Sequence, residues 1–115
     1  MSNNTINITS NDSTFLENIY NDLEENRIPV ELEKVPVKHA MGFDIVLEIS
    51  LTDIMLVLGY IKFCIIDGGC KVFLKDLMGK KKPVDTEVLQ DKEKIIELIK
   101  EEGTNLYIEH QKEKV

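Results

Sequence analysis

Residues 43–66 read FDIVLEISLTDIMLVLGYIKFCII, and how this stretch folds decides the architecture. Its first eight residues alternate. Phe43, Ile45, Leu47 and Ile49 are set against Asp44, Val46, Glu48 and Ser50, the period-two pattern of a strand. Ser50 and Asp53 then stand where a new helix would open. The rival is one long helix. Asp44 and Glu48 are i, i+4 neighbours, and Thr52, Gly59 and Lys62 continue roughly the same polar stripe. The length of the stretch is helical rather than strand-like, and the balance favours one long apolar central helix through most of it. Gly68 and Gly69 are suited to stopping it, because glycine tolerates the left-handed cap. A membrane span needs roughly 20 mostly apolar residues, and charges at its centre are costly. With Asp44, Glu48, Asp53 and Lys62 in the stretch, a core helix is the reading and membrane contact the lesser one.

Upstream, Ile6 and Ile8 alternate with Asn7 and Thr9, which suggests a short strand over Thr5–Thr9. Thr14 and Glu17 stand at capping-box spacing, where each satisfies a free amide of a helix start. Leu16, Ile19, Tyr20 and Leu23 fall at i, i+3, i+4 and i+7 and predict a helix over Thr14–Asn26. Val30, Leu32 and Val35 against Glu31, Glu33 and Lys34 read as a half-buried strand ended by Pro36. His39-Ala40-Met41-Gly42 is a connector.

Downstream, Val72 and Leu74 oppose Lys71, Phe73 and Lys75, which makes Cys70–Asp76 a strand. Met78-Gly79-Lys80 supplies a turn, and Pro83–Val88 returns as the second arm of a hairpin. Asp91 caps a helix with Ile95, Ile96, Leu98 and Ile99 on its core face, ended by Gly103. Leu106 and Ile108 alternate with Tyr107 and Glu109 as a last, edge strand. The order predicts a single α/β domain of the α+β type over residues 1–115, frayed at 1–4 and 111–115. Its helices pack on a small mixed or antiparallel sheet.

Composition narrows the function classes. The chain has 115 residues, 43% of them hydrophobic, enough for one core without staples. Lys plus Arg number 14 against 21 Asp plus Glu, a net charge of −7. A negative surface repels phosphates, so nucleic acid is not an expected partner; Lys80-Lys81-Lys82 reads as a solvated turn. Cys64 and Cys70 lack the spacing of a zinc site and read as small buried hydrophobes in a reducing compartment. A disulfide between them would need a tight reversal at Asp67-Gly68-Gly69. The N-terminal MSNNTINITSNDS has no basic or apolar signal region. A cytoplasmic protein is the expectation.

Site chemistry is sparse. His39 and His110 are the two histidines. A dyad of His39 with Cys64 or Cys70 would need a third, orienting group and a protected pocket, and packing explains both cysteines; His110 reads as solvated near the charged tail. No phosphate-binding glycine loop is present. No catalytic residue, metal ligand or cofactor site is therefore expected. Asp44, Glu48 and Asp53 are read as the polar edge of a partly exposed helix or as an acidic recognition edge. Met55 and Tyr60 on the helix, with Tyr107 on the last strand, are the further contact candidates for a partner.

The whole pattern resembles the effector-associated constant component family of bacterial conflict systems. The matching stretches are FLENIYNDLEENR, VELEKVP, HAMGFDIV, and KVFLKDLMGKKKPVDTEV followed by DKEKIIELIK, covering roughly residues 5–101. The chain departs from such proteins in the bulky residues that follow Gly42 and in the strand at Leu106–Glu109. The resemblance implies a non-enzymatic adaptor or regulatory component of antiviral defence. Its partner would be another protein: an effector, a peptidase or a nucleotidase-switch component, with a homo-oligomer as a further option. Met41-Gly42 carries over as structure, glycine permitting a sharp entry to the helix. The alternative is a small acidic inhibitor or immunity-type protein that occludes a basic enzyme surface.

Overall fold

The computed structural model describes residues 5–36, 43–76, 78–102 and 105–111. His39, the Met41-Gly42 entry and Gly103 lie outside them. Residues 43–66 are not one helix. They form strand β3 (Phe43–Ser50), a 3-10 turn (Leu51–Asp53) and helix α2 (Ile54–Ile66). The alternation prevails over the length because β3 finds partners on both sides, β1 (Thr5–Ser10) and β2 (Val30–Pro36), each antiparallel. As a strand, Ile45, Leu47 and Ile49 all reach the core, while Asp44 and Glu48 stay exposed. As a helix, these three would point roughly 200° apart in succession.

Helix α1 (Ser13–Glu25) follows β1 and buries Leu16, Ile19 and Leu23. Its cap is Asp12, which accepts the Phe15 amide, and not the Thr14/Glu17 box. Aspartate two residues earlier already takes the third helical amide, so the helix starts sooner and Thr14 lies inside it. After α2 come β4 (Cys70–Lys75), β5 (Lys81–Pro83), α3 (Thr86–Leu89), α4 (Lys92–Glu102) and β6 (Asn105–His110). The hairpin's second arm is thus shorter and earlier than Pro83–Val88. The Asp85 carbonyl accepts from both Val88 and Leu89, which turns that stretch into α3 and sends Leu89 into the core.

Among the described residues, the sheet has six strands in the order β2-β3-β1-β6-β4-β5. It is mixed: β6 runs parallel to β1 and antiparallel to β4. The last strand is therefore central, not an edge. Leu106 and Ile108 are fully buried because strands flank them on both sides and helices cover them. The true edges are β2 and β5. Both carry charges and a proline, which discourage addition of a further strand. The core lies between one sheet face and the helices. The other sheet face is open, and none of its described residues is buried.

Candidate functional site

Helix α2 reads IMLVLGYIKFCII, with Lys62 its one charge. A helix apolar all round belongs in an interior. Here Ile54, Val57, Leu58 and Ile61 face the core, but the opposite stripe is uncovered. Leu56, Tyr60, Phe63 and Ile66 lie at successive i+4, i+3 and i+3 steps and are 45%, 40%, 77% and 59% exposed. The Tyr60 hydroxyl accepts a 2.8 Å hydrogen bond from Asn26 Nδ2, which ties the stripe to the end of α1. Beside it a groove of about 430 Å³ runs between α2 and α3, with Met55, Gly59, Lys62 and Ile66 on one wall and Thr86 and Gln90 on the other.

The flank of the stripe is acidic. Helix α1 carries Glu17, Asp22, Glu24 and Glu25 and no basic residue. Tyr20 donates a 2.6 Å hydrogen bond to Glu24. That bond, with burial and the Glu24 charge as lesser causes, holds the Tyr20 phenol above its usual value.

A second constellation sits at the C-terminal end of α2. The helix ends in a paired reversal: the Gly69 amide donates to the Cys64 carbonyl at 2.8 Å and the Gly68 amide to Ile65 at 3.1 Å. Gly68 adopts φ +80°, which glycine takes without the strain a side chain adds. The reversal returns Cys70 beneath Cys64, and Cys70 pairs in register with His110 of β6. The two strand residues share a sheet face, so the imidazole joins the thiols. Donor atoms of Cys64, Cys70 and His110 lie within 4.8 Å of one another. His110 Nδ1 is 2.9 Å from Asp12 Oδ2, while Asp12 Oδ1 holds the Phe15 amide at 3.2 Å. Phe15 stacks on the imidazole at 4.6 Å and 11°. Asn11 brackets the His110 backbone, accepting from its amide at 2.8 Å and donating to its carbonyl at 3.0 Å.

His110 is thus no solvated tail residue. Alternation with Leu106 and Ile108 places it on the core face, and its side chain is 27% exposed. That spacing was visible in the sequence; the meeting with Cys70 depends on a strand pairing that was not. Burial first, then a hydrogen bond to Cys64, pushes the Cys70 thiol up to about 12. A thiol shifted upward is the opposite of an activated nucleophile.

The contact candidates divide between two surfaces. Met55 and Tyr60 lie on the helical layer, and Asp53 sits at the start of α2. Asp44, Glu48 and Tyr107 lie on the open sheet face, because Asp44 and Glu48 belong to β3. There Tyr107 neighbours Phe73, with Lys75 Nζ 4.4 Å and Lys81 Nζ 5.0 Å from its ring centre. Burial, then the Glu109 and Asp44 charges, raises its phenol. The stripe Leu56, Phe63 and Ile66 was not singled out in the sequence, because an all-apolar helix does not say which of its faces is covered.

A scan of protein-family models, a search of curated proteins and a search of solved structures each return no match to this chain. Among the described residues, no helix is long and apolar enough to cross a membrane.

Proposed function

We propose that this protein is a non-enzymatic adaptor that docks another protein on the outer stripe of α2. The observation that carries the reading is the uncovered row Leu56, Tyr60, Phe63 and Ile66. An exposed row of large apolar side chains on a protein this small has the composition of an interface core, with aromatic residues as its anchors. The acidic flank of α1 favours a foreign partner over a second copy, because self-pairing there would bring like charges together. The partner is therefore a different protein with an apolar strip bordered by Lys or Arg. In the setting implied by the family resemblance, that partner is the effector of a conflict system.

Sedimentation of the isolated chain tests the choice of occupant. A monomer of 13.2 kDa is expected at any salt concentration. A stable dimer that Phe63→Asp dissolves would mean that the stripe is covered by a second copy, and the reading would fall.

A further inference from the structure

We propose that the corner at the end of α2 is a zinc site, in which Cys64 Sγ, Cys70 Sγ and His110 Nε2 bind one Zn²⁺ and Asp12 orients the imidazole. This does not rest on the docking reading, which uses none of these side chains. The two sulfurs and a ring nitrogen of His110 lie within 4.8 Å of one another. In a tetrahedral zinc site, bond lengths of about 2.3 Å to sulfur and 2.0–2.1 Å to nitrogen set the donors roughly 3.6–3.8 Å apart. Closing by about 1 Å reaches that geometry, well within side-chain rotation.

The surroundings are those that such a ligand set requires. The Asp12 carboxylate takes Nδ1 of His110 at 2.9 Å, which leaves Nε2 as the nitrogen with a free lone pair. A carboxylate behind a ligating histidine fixes its tautomer and raises its basicity. The stacked Phe15 ring limits rotation of the imidazole. A Cβ at Gly69 would stand 3.0 Å from Cys64 Sγ, so glycine at 69 is what leaves the thiol its place. The backbone reversal also explains how five intervening residues, instead of the usual two to four between liganding cysteines, still bring both sulfurs to one point.

Two thiolates and an imidazole suit a borderline-soft cation and not calcium or magnesium, which take oxygen ligands. On binding, the two thiols release their protons to solvent. Among the described residues, no fourth His, Cys, Asp or Glu joins the group.

The test uses the full chain, purified without a histidine tag, reduced and titrated anaerobically with Co²⁺. One equivalent is expected to give a thiolate-to-cobalt charge-transfer band with intense tetrahedral d–d bands, bleached by one equivalent of Zn²⁺. Cys64→Ser and His110→Gln are each expected to abolish that spectrum. Asp12→Asn, which keeps the helix cap, is expected to weaken metal affinity about 10- to 100-fold. Circular dichroism of each variant separates loss of metal from loss of fold. The proposal is overturned if the folded, reduced protein gives no thiolate-cobalt band, or if folded His110→Gln leaves the spectrum unchanged. It is also overturned if Cys64 and Cys70 close to a disulfide even with zinc in excess.

Discussion

Arg27 sits in the left-handed region at φ 59°, where the chain leaves α1. Its amide donates to Glu24 and the next one, from Ile28, to Leu23, the same paired reversal that Gly68 and Gly69 make after α2. A side chain there costs roughly 1–2 kcal/mol that glycine avoids, partly offset by the greater freedom of glycine in the unfolded chain. Arg27→Gly is therefore expected to stabilise the protein by about 0.5–1 kcal/mol, read as a higher urea midpoint at unchanged slope. Tyr107 gives a pH signature. Its folded phenol is raised above the ordinary value of 10.0, so the unfolded chain ionises first. Its contribution to stability is complete below that value and is lost as pH rises through the folded one. Urea midpoints measured on either side of pH 10 should fall on the alkaline side, and Tyr107→Phe should reduce the fall.

Among the elements, β6 holds the sheet together, lying between β1 and β4. Leu106 is fully buried there, and Leu106→Ala is expected to cost about 2–5 kcal/mol, as in any well-packed core. Removing residues 105–115 would strip a middle strand and should abolish cooperative unfolding by circular dichroism. Were β6 an edge, the truncated chain would still fold. The sequence made most elements legible, since alternation marks β1, β2 and β4 and helical spacing marks α1 and α4. It misjudged residues 43–66 because Asp44 and Glu48 satisfy both periods at once. What decides between them is the presence of strands on both sides of β3, a non-local fact. The same limit hid the zinc-type corner. Leu106, Ile108 and His110 share one face by simple alternation, but nothing local says that β6 pairs with β4 and so sets His110 opposite Cys70.

Across the whole molecule, separate surfaces carry separate features. The open sheet face carries Asp44, Glu48 and Tyr107, the helical layer presents the apolar stripe, and the thiol-imidazole corner lies where α2 meets the sheet. Phe63→Asp should leave the unfolding midpoint within about 0.5 kcal/mol of the parent, because the ring is 77% exposed. Any loss of partner binding in that variant is then a surface effect. The most direct measurement is photo-crosslinking in the native host, with a photoreactive residue at position 63 and, as a control, at position 7 on the open sheet face. One discrete adduct is expected from position 63, to a different protein whose crosslinked segment is apolar and bordered by Lys or Arg, and none of it from position 7. An adduct from position 63 to a second copy alone, or the same adduct from both positions, would contradict docking of another protein on α2.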